Sequence, residues 1–203
     1  MKTDPKHIAE IREQFAKMQT QEEFVDLLNA AKIVFYGDDQ KPFTLKSVRY
    51  FGNYKLGDKR YKLFTIRKKS GGQRMINAPI PGLKRIQRIL NFILQCIAEP
   101  HKAATGFVPR KSIVDNAQKH VGKNYVYNID LKDFFHSIEL HRVKTCLKLS
   151  PFNLNNDKEP LAFLIANLCC TELDVEREVE GVSTTVKRSV TPQGAPTSPT
   201  ITN

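Results

Sequence analysis

Asp130 and Asp133 stand three residues apart, and Asp130 follows the apolar run Tyr125-Val126-Tyr127-Asn128-Ile129. That run, through Leu131, reads as a β-strand that delivers a carboxylate at its end. A carboxylate so placed can present its oxygens to a hard cation. Mg²⁺ is typically held by one or two carboxylates together with substrate phosphates. Two such ions can organise an in-line displacement at phosphorus. Taken alone, a D-x-x-D pair is better read as a turn cap, so its surroundings have to decide.

The surroundings are basic in one place. The 203 residues carry a net charge of +11. Between Lys41 and Arg88, fourteen Lys or Arg face a single acid, Asp58, whereas the rest of the chain has eighteen basic against twenty acidic residues. A contiguous block of this kind binds phosphate backbones by releasing counterions. A solvated, solubilising face is the plainer reading of the same residues.

The elements that must position these groups follow from periodicity and capping. Asp4-Pro5 is an N-cap with proline at the first helical position, and Ile8, Ile11, Phe15 and Met18 continue at helical spacing. Thr20 to Glu23 is a capping box ahead of Phe24, Leu27 and Leu28. The first 32 residues therefore predict two helices. A short helix is expected over 43–51. Tyr61 to Ile66 and Arg74 to Ala78 predict a β-hairpin, with Lys68-Lys69-Ser70-Gly71-Gly72-Gln73 at its basic tip. Leu83, Ile86, Ile89, Leu90, Ile93, Leu94 and Ile97 form the apolar stripe of a long helix that Pro100 stops. Further helices are expected over Ser112–His120, from a cap at Ser137 to about Leu149, and over Leu161–Cys170. A second hairpin is expected over Val175–Val190, turning at Glu180-Gly181.

Bulk features exclude several classes. Hydrophobic residues make up 40% of the chain and charged ones 26%, the balance of a globular protein with a core. No apolar run reaches the roughly 18 residues of a membrane span, and residues 1–5 lack the apolar segment of a signal peptide. Cys96, Cys146, Cys169 and Cys170 form no C-x-x-C pair and sit in apolar surroundings. They read as reduced, buried thiols in a cytosolic protein.

Asn128-Ile129-Asp130-Leu131-Lys132-Asp133-Phe134-Phe135 resembles motif A of reverse transcriptases. Thr191-Pro192-Gln193-Gly194-Ala195-Pro196-Thr197-Ser198-Pro199 resembles their motif B, and Lys68 to Arg74 their fingers hairpin. The three stand in the family's order, and the resemblance runs from about Tyr61 to Asn203. Asn116-Ala117-Gln118-Lys119-His120 resembles a signature of the retron branch.

The resemblance implies an α+β fold with three parts: a helical N-terminal extension over 1–40, a fingers subdomain over 41–122 and a partial palm over 123–203. It implies RNA-directed DNA synthesis from dNTPs with two Mg²⁺ ions in the complete enzyme. The ions are expected to bind weakly or not at all to these residues alone. Asp130 would be the catalytic, metal-binding aspartate, and the Leu131 carbonyl would help hold the second metal. Asp133 would line the site. Phe135 would be the steric gate, where a ribose 2′-OH would otherwise sit. Gln193 would contact the incoming nucleotide, and Gly194 would let the backbone come close to it. Lys69 and Arg74 would hold the triphosphate, a point-charge ammonium beside a bidentate guanidinium. Arg67, Lys68, Arg85, Arg88, Arg110, Lys111, Asn116 and His120 would contact nucleic acid. The expected partners are an RNA template and primer, a structured noncoding RNA if the protein is a retron enzyme, with no membrane. The resemblance points to a bacterial host and a role in phage defence.

The sequence departs from the family at four places. Arg67 stands where retron enzymes usually have proline. Arg110 and Lys111 replace a usual glycine and arginine, which puts the local turn in question. Thr191 replaces a common leucine. The tyrosine-x-aspartate-aspartate motif that follows motif B in the family does not occur. The chain closes on Thr200-Ile201-Thr202-Asn203, inside the expected post-motif helix, so a truncation that does not polymerise alone is the expectation. A non-catalytic RNA-binding module or split relic is the alternative from another class. A group II intron or diversity-generating enzyme is the alternative within the class.

Overall fold

The computed structural model describes residues 4–37, 41–67, 71–179 and 182–203. It mixes helices with two separate two-stranded antiparallel sheets. The N-terminal pair is as expected: α1 (Pro5–Lys17) is capped by Asp4, which accepts from the Lys6 N–H at 2.9 Å. α2 (Gln21–Tyr36) opens on the Thr20/Glu23 capping box. Each such cap satisfies amides that a helix start leaves without partners, worth about 1 kcal/mol. α3 (Leu45–Phe51) starts on a second capping box at Thr44.

The hub of the core is α4 (Pro81–Ile97). Leu83, Ile86, Ile89, Leu90, Ile93 and Leu94 are all 1% exposed or less. They meet α1, α2 and a largely apolar helix, α7 (Glu159–Cys169). Truncating one of these side chains, as in Leu90→Ala, costs about 2–5 kcal/mol because the cavity cannot collapse fully. The opposite face of α4 carries Lys84, Arg85 and Arg88 to solvent.

β1 (Tyr61–Arg67) pairs with β2 (Gln73–Pro79), Tyr61 opposite Pro79 and Arg67 opposite Gln73. Only its base is buried, at Tyr61, Asn77 and Pro79, so the outer part stands in solvent. β3 (Thr171–Val179) pairs with β4 (Val182–Val190) in the same way. α5 (Ile113–Gln118), α6 (Leu140–Lys148) and α8 (Ser198–Thr202) complete the order. The β3–β4 turn, at Glu180-Gly181, lies outside the described residues.

Three expectations are corrected. Tyr125–Leu131 forms no strand; its backbone is irregular, with Tyr125 93% and Tyr127 87% exposed. Alternating residues define two faces, but a strand also needs a neighbour for its amides and carbonyls. Among the described residues neither hairpin pairs with this segment. Ser137 does not cap α6. Its hydroxyl donates to the Phe134 carbonyl at 2.7 Å within a 3₁₀ turn over Phe135–Ser137, and the helix begins after Glu139. Such local bonding is how serine competes with helix formation. Cys146 is exposed, because α6 turns Val143 and Leu147 inward instead; all four thiols are free.

Candidate functional site

Asp130 lies in the exposed segment just before the turn that starts α6. Among the described residues its carboxylate makes no hydrogen bond or ion pair. Leu131 is 62% exposed. The chain then reverses at Asp133, whose φ of 49° is left-handed and whose carbonyl accepts from the Ser137 N–H at 3.1 Å. Aspartate is one of the few residues that tolerates this conformation. Phe134 and Phe135 follow, their rings 5.6 Å apart and tilted by 55°.

The turn is gripped from the other side by the second hairpin and the residue that leaves it. The Thr191 hydroxyl donates to the Phe135 carbonyl at 2.6 Å, and the Thr191 N–H donates to the Ile138 carbonyl at 3.0 Å. Glu139 forms a β-bridge with Val190. The Arg177 guanidinium donates to the His136 carbonyl at 2.8 Å and lies 3.7 Å from the Glu139 carboxylate, with Arg188 at 3.9 Å. Burial pushes the His136 imidazole below its ordinary pKa; Asp133 opposes that shift and Arg177 adds to it. Sequence reading missed Thr191, Glu139 and Arg177 as organisers of this turn, since nothing local marks a partner so far along the chain.

The motif B turn in its turn touches the first hairpin. The Asn77 N–H of β2 donates to the Gln193 carbonyl at 2.8 Å. Gly194 has a φ of 120°, and a Cβ there would lie 2.9 Å from the Asn77 carbonyl oxygen and from Ile76 Cγ2. Glycine is therefore required by both conformation and space. The backbone that approaches it is that of β2. Three residues outward on the same strand, Arg74 faces solvent opposite Ile66. Arg67 lies at the end of β1 and, with Thr65, Gly72 and Gln73, lines a shallow depression. Lys68 and Lys69 lie outside the described residues. The backbone of Phe135 is thus tied to Thr191, and the backbone of Gln193 and Gly194 meets Asn77, on the strand that also carries Arg74.

The other nucleic-acid candidates are on α4, on and after α5 and in the turn before it. Arg85 and Arg88 are exposed on α4, while Asn116 and His120 are exposed on and just after α5. Arg110 has a left-handed φ of 66°, so the conformation suited to glycine is kept without one. Lys111 lies 3.9 Å from Asp115. Among the described residues the basic block is on the surface with one exception. Arg60 is fully buried: it donates to the Asn167 carbonyl at 2.8 Å, lies over the Tyr61 ring, and has its pKa pulled down by burial. Arg49 is exposed but lies 3.6 Å from Glu22. Just before the block, Lys32 is 4% exposed; it donates to the Lys41 carbonyl and lies over the Phe43 ring at 4.3 Å. Burial, with Arg85 nearby, lowers its pKa.

A family model described as "Reverse transcriptase (RNA-dependent DNA polymerase)" matches residues 66–203. The chain belongs to the reverse transcriptase family. It is 37% identical over 145 residues to the Retron Mx65 reverse transcriptase of Myxococcus xanthus, covering 70% of this chain and 33% of that protein. It is 36% identical over 166 residues to the Retron Mx162 reverse transcriptase of the same organism, covering 79% and 33%. It is 30% identical over 149 residues to the Retron Ec86 reverse transcriptase of Escherichia coli, covering 72% and 40%. The chain therefore spans only a third to two-fifths of these relatives.

Reverse transcriptases generally use Mg²⁺. Among the described residues no three His, Cys, Asp or Glu side chains gather as a metal group. Asp130 would supply one carboxylate, the protein's share of a single Mg²⁺ shell and not of a site for two ions. The described residues alone do not fit a two-ion centre. No described helix is long and apolar enough to cross a membrane.

Proposed function

We propose that this chain is the template-gripping and nucleotide-selecting part of an RNA-directed DNA polymerase of the retron type. The observation that carries the reading is the link from Phe135 through Thr191 to Gln193 and on to Asn77 of β2. It joins the two resembling motifs to the basic hairpin. The retron branch is supported by the names of the relatives and by the Asn116–His120 signature.

In this reading the exposed cations of the basic block, Arg67, Arg74, Arg85 and Arg88 among them, hold phosphates of template and nucleotide. Arg74 can take phosphate oxygens through a bidentate fork, and Lys69 adds the point charge of an ammonium. Gln193 orients the incoming nucleotide, and the Phe135 ring excludes a 2′-OH. Asp130 is the one carboxylate offered to the reacting phosphate, with Asp133 shaping the turn behind it. Residues 41–122 act as fingers, 123–203 as part of a palm, and 1–40 as an extension that completes their common core. The partner is a structured RNA serving as template and primer.

Primer extension tests this. The full-length protein carrying this chain is expected to extend a primer on an RNA template with dNTPs and to lose that activity with Asp130→Ala. The 203 residues alone, lacking a tyrosine-x-aspartate-aspartate sequence, are expected to bind RNA without extending it. RNA binding by the full-length protein with no Asp130-dependent extension would favour a non-catalytic RNA-binding module.

A further inference from the structure

We propose that Thr191 is the positioning residue for the Phe135 gate, and that its hydroxyl sets how well the enzyme separates deoxyribonucleotides from ribonucleotides. This rests on the polymerase reading above and goes beyond it. The discriminating ring has no rigid element of its own. It sits at the start of a single 3₁₀ turn, downstream of the irregular Tyr125–Leu131 segment. Within the turn, Ser137 and Ile138 donate back to the carbonyls of Asp133, Phe134 and Phe135 at 3.1–3.2 Å. A 3₁₀ turn of this length has poor hydrogen-bond geometry and does not hold a side chain tightly.

The firm restraint comes from outside. The bond from Thr191 Oγ1 to the Phe135 carbonyl is the shortest contact made to the turn, at 2.6 Å, and Thr191 itself is 0% exposed. A carbonyl held at that distance fixes the rotation of its peptide plane, and with it the direction in which the Phe135 Cα–Cβ bond points. Two more carbonyls are held beside it: His136 by Arg177 at 2.8 Å and Ile138 by the Thr191 amide at 3.0 Å. Thr191 thus grips the turn twice, once through a backbone bond any residue can make and once through its hydroxyl. Leucine, the residue the resemblance leads one to expect here, cannot make the second bond. Thr191 does not touch the nucleotide in this scheme; it acts through Phe135. A gate displaced by a few tenths of an ångström still admits a deoxyribose but rejects the extra oxygen less well.

The test uses Thr191→Val, which keeps shape and removes the hydroxyl, and Thr191→Ser, which keeps the hydroxyl. On the 203-residue chain, hydrogen exchange at the amides of Phe134 to Ile138 is expected to accelerate in Thr191→Val and to stay unchanged in Thr191→Ser. In the full-length enzyme, the ratio of dNTP to rNTP incorporation is expected to fall roughly fivefold in Thr191→Val, the size of one typical hydrogen bond. Thr191→Ser is expected to restore it. A merely structural residue would lower both incorporations alike and leave the ratio unchanged. Unchanged exchange in Thr191→Val, or an unchanged ratio in an enzyme that still extends with dNTPs, overturns the proposal and leaves the polymerase reading standing. Failure of the unaltered full-length protein to extend any primer removes the polymerase reading, and the sugar-selection role with it.

Discussion

Arg110 and Gly194 adopt backbone conformations that suit glycine, and only one of them is glycine. At Arg110, φ is 66°, and a left-handed L-residue costs roughly 1–2 kcal/mol. Arg110→Gly is therefore expected to raise stability by about 1 kcal/mol, read from urea unfolding, part of the gain being offset by the freer unfolded chain. At Gly194 the strain is joined by a contact: a Cβ would press on the Asn77 carbonyl. Gly194→Ala is expected to destabilise by about 2 kcal/mol or more and to loosen β2 from the motif B turn, which hydrogen exchange at Asn77 would report. The need for glycine at Gly194 was legible from the Gln-Gly-x-Pro pattern, though the backbone it meets was not. The Arg110 departure was legible as a question about the turn, and the structure answers it by keeping the turn. Thr191 was read as a small change from leucine, because a sequence does not display a hydroxyl's partner 56 residues away.

Helices were legible almost to their ends, because a 3.6-residue apolar stripe and a capping box each carry their own physics. The long stripe of α4 and the Thr20 box behave as their spacing dictates. The hairpins were legible for a similar reason, with strands that pair locally across a short turn. The segment Tyr125–Leu131 was misread because alternation names faces without supplying a neighbour. Its amides are expected to exchange within seconds to minutes in the 203-residue chain, far faster than those of α4; protection matching α4 would mean that the strand forms after all. Between α6 and α7, Lys144 and Lys148 lie 2.6 and 3.0 Å from Glu159 and hold its carboxyl down at about 2. A depressed carboxyl binds fewer protons folded than unfolded, so its contribution is present above about 4.5 and is lost as pH falls toward 2. Unfolding measured across that window is expected to show the loss, and Glu159→Gln to flatten it. The effect is modest, since the side chain is 40% exposed and water screens the pair.

Across the whole molecule, one apolar core centred on α4 ties the N-terminal helices, the first hairpin's base and the α6–α7 region together. The charge asymmetry lies on the outside of that body. Most of the basic block reaches solvent without a carboxylate partner among the described residues, whereas Arg60 is spent inside. Sequence charge counting could not separate the two, since burial is a property of packing. RNA binding is expected to weaken linearly on a log–log plot against salt, by roughly 0.7 per phosphate neutralised on a single strand. Arg85→Glu with Arg88→Glu is expected to lower the affinity and flatten that slope, measured by fluorescence anisotropy.

The central claim is that these residues grip and select nucleotides for a polymerase whose chemistry depends on Asp130. The most direct measurement is RNA-templated primer extension with dNTPs by the full-length protein carrying this chain, set beside its Asp130→Ala variant and the 203 residues alone. Extension by the first, loss in the second and RNA binding without extension in the third is the predicted result. Extension that survives Asp130→Ala, or that the 203 residues perform unaided, would contradict it.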